Sequence, residues 1–239
     1  MTEATEPLYK QIEIINSDIH KDLRISPLKD FRRFKNLNSC IVLGGEFAEA
    51  SKFYPIVFIK TAKEGVTPVI ILGFDQNFFV DEDGKWKEGY YIPAFVRRYP
   101  YILVEEKGEK EEDRKLFVAV DKSYEGYNAE NGEKLFNEDG KNTDYLNRMI
   151  DFLRAYDLDY NLTMRFAKKL EELDLFQTIE ATIKTPDNRT FVMKNLLAVD
   201  EKKLRELEDK EVLDLFRSGF LGWIYAHLIS LNNFARIVR

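Results

Sequence analysis

The chain has 239 residues, 44% of them hydrophobic and 33% charged, with 18 Phe and 12 Tyr. That is enough apolar material for a sizeable core and excludes wholesale disorder. A net charge of -6 excludes a general nucleic-acid binder, which needs a positive surface, and the one cysteine, Cys40, excludes an internal disulfide.

The amino terminus, MTEATEPLYK, lacks the basic start and apolar run of a secretory signal, so the expected compartment is the cytoplasm. Export to the cell surface without such a signal is the alternative. Phe31-Arg32-Arg33-Phe34-Lys35 reads as a short helix with its Phe side chains inward. Strands are expected at Cys40–Leu43, Ile56–Ile59, Val66–Gly73, Tyr101–Glu105 and Leu116–Val120, which are dense in β-branched and aromatic residues. Cys40 should be a small buried hydrophobe in the first of them. Turns are marked by Glu64-Gly65, Asp83-Gly84, Asn131-Gly132 and Asp139-Gly140, and the charged run Lys107–Lys115 suits a hairpin tip. Pro93 opens and Pro100 closes a short helix over Ala94–Tyr99.

Asp121–Lys141 is a polar connection, and a subdomain boundary is expected at its end, giving 1–141 and 142–239, with one continuous domain as the alternative. Beyond it the apolar period becomes helical. Leu146, Met149, Ile150 and Leu153 form one stripe, capped by Asn142 or Thr143, and Leu162, Phe166, Leu170 and Leu173 form another. Ile179, Ala181 and Ile183 alternate as a strand does, and Pro186-Asp187-Asn188 turns it back through Phe191 and Met193. The last forty residues are helical from a cap at Asp200. The apolar stretch Gly219–Leu231 is too short to span a bilayer and reads as a buried terminal helix. On it Gly219, Gly222, Ala226, Ser230 and Asn233 share a face suited to close packing. The fold class is therefore α+β: a strand-rich first half, then helices with one hairpin.

No complete catalytic motif is present: there is no Gly-x-Ser-x-Gly elbow, phosphate loop or dinucleotide fingerprint. Gly44-Gly45-Glu46-Phe47 is similar to the diguanylate cyclase signature but lacks its second acid, and is read as a turn after a buried strand. Asp81–Gly84 and Asn137–Gly140 place Gly too early for a calcium loop and are read as tight turns. Two sets of residues remain as weak candidates. Tyr91, Arg97, Arg98 and Tyr99 lie in a segment of aromatics, prolines and adjacent arginines that could grip a carboxylate or phosphate. His20, Asp22 and His227 have the order of a two-His, one-carboxylate iron site. Against the iron site, almost no sheet precedes His20 and His227 falls on a helix. No cofactor is expected.

The order of the blocks carries more than any single motif. His20-Lys21-Asp22-Leu23-Arg24 is followed by Glu46-Phe47, Tyr54-Pro55-Ile56-Val57-Phe58, and Phe79-Val80-Asp81 with Asp83-Gly84-Lys85-Trp86. Then come Tyr91-Ile92-Pro93, Arg97-Arg98-Tyr99-Pro100, Leu135–Gly140, Val199-Asp200-Glu201 and Tyr225–Leu231. Over nearly the whole chain this series resembles the bacterial SapC family. The resemblance implies a surface-layer-associated protein and supplies no functional residues. The function it implies here is a non-catalytic accessory role in a surface-layer or secretion system, with a protein partner, no nucleic acid and no membrane span. A ligand-binding protein or enzyme using the arginine segment or the two histidines is the alternative.

Overall fold

A computed structural model describes residues 8–62, 64–106, 115–184, 188 and 190–237. In chain order the elements are β1 (Ile12–Ile14), β2 (Arg24–Ile25), β3 (Ser39–Ile41), α1 (Phe47–Ala50), β4 (Ile56–Thr61) and β5 (Gly65–Ile71). They continue with α2 (Ala94–Arg97), β6 (Tyr101–Glu106), β7 (Lys115–Asp121), β8 (Glu133–Lys134) and α3 (Asp144–Glu172). Last come β9 (Phe176–Lys184), β10 (Thr190–Val199), α4 (Glu201–Arg205), α5 (Asp209–Arg217) and α6 (Phe220–Ser230). This is an α+β chain with antiparallel sheets and a helical carboxy-terminal part. Two compact units divide it, and each draws on separated stretches of sequence.

The first unit comprises the described residues up to Arg33 together with Val96–Asp157, so position 141/142 falls inside it. Its main sheet has the order β1-β7-β6, and β2 pairs with β8. In the β6–β7 hairpin Tyr101 faces Val120 and Leu103 faces Val118, so one side of the pleat is apolar. Leu146, Met149, Ile150 and Leu153 of α3 join that side in one core with Leu23, Ile25 and Leu135. Thr143 caps α3: its hydroxyl accepts from the Leu146 amide at 3.3 Å and donates to the Lys134 carbonyl at 2.7 Å. The expected hairpin tip at Lys107–Lys115 falls, but for Lys115, outside the described residues.

The second unit comprises Phe34–Phe95 and Leu158–Arg239. Its five-stranded sheet has the order β3-β5-β4-β10-β9, so the late hairpin completes a sheet begun before residue 72. Cys40 is buried in it, as expected. Of the expected turn between β9 and β10, Pro186 and Asp187 lie outside the described residues. Asp200 caps α4 by accepting from the Lys202 and Lys203 amides. The helical tail consists of α4, α5 and α6, followed by a 3-10 segment over Leu231–Ala235. Gly219, at φ 80°, sits in the left-handed conformation where α5 ends and α6 begins. The two apolar stripes expected after residue 142 lie, but for Leu173, on the single 29-residue helix α3.

Asp81–Lys85 and Asn137–Lys141 close as tight loops of the same design, one in each unit. The first side chain of each accepts from the amide four residues on, at 2.8 Å from Lys85 and 2.9 Å from Lys141. Among the described residues no helix is long and apolar enough to cross a membrane.

Candidate functional site

Gly44-Gly45-Glu46 forms a 3-10 turn two residues after β3. The Gly44 amide donates to Thr163 Oγ1 at 2.8 Å, and the Gly45 amide reaches both carboxylate oxygens of Asp159 at 3.2 and 3.3 Å. Asp159 and Thr163 stand one turn apart on α3 and so receive consecutive amides. Burial pushes the Asp159 carboxyl above its ordinary value, and the Gly45 amide and Thr163 hydroxyl only partly oppose it. Glu46 is buried and fully engaged. One oxygen accepts from the Tyr91 hydroxyl at 2.6 Å and the Ala94 amide at 2.7 Å, and the other from the Leu43 amide at 3.1 Å. The chemistry left to this motif is structural. A Cβ on Gly44 would lie 2.2 to 2.5 Å from the Trp223 ring, which packs on Phe47, Phe166 and Phe220. Gly44→Ala is therefore expected to cost about 1–3 kcal/mol of stability, read from the urea midpoint, as overpacked cores do.

The four residues expected to grip an anion part company. Tyr91 belongs to the second unit and serves Glu46, while its carbonyl accepts from the Tyr54 hydroxyl. Arg97, Arg98 and Tyr99 belong to the first unit. Arg97 is exposed, with its guanidinium 5.4 Å from the Phe152 ring centre. Arg98 lies over Tyr156 at 4.5 Å and over Tyr9 at 6.0 Å. Tyr99 is buried, 5.3 Å from Tyr9, and donates to Asp121 Oδ2 at 3.2 Å. Arg98 and Tyr99 thus converge on Tyr9, and Arg97 turns away to Phe152.

Asp121 is the hub that residue patterns did not single out. Its side chain is fully buried and accepts from the Lys10, Gln11 and Ser123 amides, the Ser123 hydroxyl and Tyr99. The Arg33 guanidinium stands 3.7 Å away. Burial works against its charge, but the Ser123 hydroxyl and the three amides outweigh burial and hold the carboxyl below its ordinary value.

The two histidines each have both ring nitrogens occupied. His20 Nδ1 accepts from the Asn16 amide at 3.0 Å, and Nε2 lies 3.0 Å from Glu13. That hydrogen bond, with Tyr127 and Lys122, holds Glu13 below the usual carboxylate value. Asp22 is exposed. His227 is fully buried, accepting from the Val199 amide at 3.0 Å and donating from Nδ1 to the Ile56 carbonyl at 2.8 Å. Burial pushes its pKa down to about 4. Among the described residues no cluster of three or more His, Cys, Asp or Glu is placed to hold a metal.

Two features remain open. The first unit carries a cleft of about 270 Å³ whose walls include Lys29, Arg33, Tyr99, Tyr124 and Glu125. In the second, α5 and α6 each expose large apolar side chains. Val212, Leu213 and Phe216 are 37%, 46% and 68% exposed, and Tyr225 and Ile229 on α6 are 44% and 63% exposed. The terminal helix thus buries one side, through Phe220, Ile224, His227 and Ser230, and presents the other. The face of small residues divides likewise. Ser230 and Asn233 are buried, whereas a Cβ on Gly222 would meet nothing within 4 Å.

A family model for SapC matches residues 15–237. The chain belongs to the SapC family. No curated protein and no solved structure matches it. The α5 face had a legible signal: nine residues, DKEVLDLFR, hold four large apolar side chains, more than one buried stripe requires. Leu215 alone of the four is buried.

Proposed function

We propose that this SapC-family chain is a non-catalytic accessory protein of a bacterial surface-layer or secretion system, working through protein contacts. The observation that carries the reading is the exposed apolar face of Val212, Leu213, Phe216, Tyr225 and Ile229. Large apolar side chains grouped on a surface favour a partner that removes them from water, at roughly 25 cal/mol per Å². Charges of both signs are exposed in the same stretch, Glu206, Glu208, Asp209 and Asp214 with Arg205, Lys210 and Arg217, and Asp214 pairs with Lys169 at 2.9 Å. A mixed rim of this kind suits a protein partner with apolar anchors and a polar surround. The family resemblance supplies the setting, and the engagement of His20, His227, Glu46 and Asp121 in structural bonds supports a role without turnover.

Crosslinking pull-down from the native cell tests it, comparing the wild-type chain with a Phe216→Glu, Ile229→Glu double variant. Stoichiometric recovery of a surface-layer or secretion component is expected with the wild type. At least a tenfold loss is expected with a variant that keeps its circular dichroism and thermal midpoint. No such component, or equal recovery with both chains, would sink the proposal.

A further inference from the structure

The charges on the exposed side of α5 are sorted along the helix. Asp209, Leu213 and Arg217 recur at spacings of four, and Val212 and Phe216 follow Asp209 by three and seven, so the five share one side. All five are exposed, as is Lys210 at the edge of that side. The fold holds the helix by its other side, where Leu215 is buried and Asp214 turns to Lys169 of α3. The exposed side thus runs acid, apolar, base from its first turn to its last. Among the described residues no ion pair reaches Asp209, Lys210 or Arg217.

Such an order is its own complement. When two copies of α5 run antiparallel about a two-fold axis at Leu213, each residue before Leu213 meets the one equally far beyond it on the second copy. Asp209 then meets Arg217 of the partner subunit, and Arg217 meets the partner's Asp209, so two ion pairs flank one apolar patch. Lys210 comes opposite the partner's Phe216, where its stem covers the ring and its ammonium gains a cation–π contact. The two Leu213 side chains meet on the axis, with Val212 and Phe216 of each copy beside them. A parallel pairing would set Asp209 against Asp209 and Arg217 against Arg217, which like-charge repulsion opposes.

We propose that a second copy of this chain covers α5, in an antiparallel pairing centred on Leu213. This rests on the reading of the exposed apolar side chains as protein contacts, and it names the occupant of α5. Tyr225 and Ile229 on α6 are left for the accessory partner.

Sedimentation equilibrium of the purified full chain tests it, with every other component of the cell absent. A monomer–dimer equilibrium is expected between micromolar and millimolar protein. Leu213→Asp should weaken the dimer at least tenfold with circular dichroism unchanged, because the side chain is exposed. Asp209→Arg and Arg217→Asp should each weaken it fivefold or more, since each sets like charges at both ends of the pairing. Both substitutions on one chain restore opposite charges at both ends and should return the affinity to within threefold of the wild type. A wild-type chain that stays monomeric at millimolar concentration overturns the proposal. So does a dimer that Leu213→Asp leaves intact, or a double reversal that binds no more tightly than the single ones. None of these outcomes touches the accessory role, which fails on the pull-down alone.

Discussion

Replacing His227 with alanine is expected to destabilise the second unit by about 4 kcal/mol, since two buried backbone groups lose their partner at roughly 1–3 kcal/mol each. The ring stands in for a rung of the sheet. Leu197 of β10 faces Phe58 of β4, and in the same register Val199 would face Ile56. The imidazole is inserted there, taking the Val199 amide on Nε2 and giving its Nδ1 proton to the Ile56 carbonyl. Ser230, one turn on, accepts from the Ile56 amide at 2.8 Å, and Phe58 packs edge-on against the ring. Alanine removes donor, acceptor and aromatic contact together. His227→Gln keeps one donor and one acceptor and should lose less. A urea midpoint that falls by the equivalent of under 1 kcal/mol in the alanine variant would refute this account.

The same geometry sets a pH response. Only the neutral ring can accept from Val199, and burial depresses the folded pKa to about 4 from an ordinary 6.5. With the folded value below the unfolded one, the unfolded chain takes up the proton first as pH falls. Stability is full above pH 6.5 and falls by up to about 3 kcal/mol as pH drops toward 4, at about 1.4 kcal/mol per unit. His227→Gln should flatten that slope.

Local pattern made much of this fold readable. The strands at Cys40, Ile56, Val66, Tyr101 and Leu116, the cap at Asp200 and the turn at Gly44-Gly45 all follow from residue type and spacing. The partition of the chain does not, because it depends on pairings far apart in sequence. Nothing local in Phe191 or Met193 says that their strand joins one formed by Ile56–Thr61. The candidate residues fared unevenly for the same reason. Arg97 and Arg98 are conspicuous in sequence, yet Tyr9 and Tyr156 take the face of Arg98. Arg33 and Tyr124 look ordinary in sequence and line the cleft, because β7 ends at Asp121 and brings Ser123 and Tyr124 to where Arg33 lies. A buried acid such as Asp121 is invisible among 42 Asp and Glu until its five donors are gathered.

Removing Asp121 should be as damaging to the first unit as removing His227 is to the second. Asp121→Ala strips the acceptor from the Lys10, Gln11 and Ser123 amides and from the Tyr99 hydroxyl, and leaves Arg33 without its nearby buried charge. Breaking a buried charged network by removing one member costs roughly 3–5 kcal/mol. Asp121→Asn keeps the shape but turns one oxygen into a donor facing donors, so it should recover little of that loss. A calorimetric transition unchanged by either variant would show that the hub carries no weight. The pH sign separates the two residues. Asp121 titrates below the ordinary carboxylate value when folded, so its contribution is complete above roughly pH 4 and is lost only below it. Acid unfolding of the wild type should therefore begin with a loss between pH 6.5 and 4 that His227→Gln reduces. A steeper loss below pH 4 should follow, one that His227→Gln leaves in place and Asp121→Asn reduces.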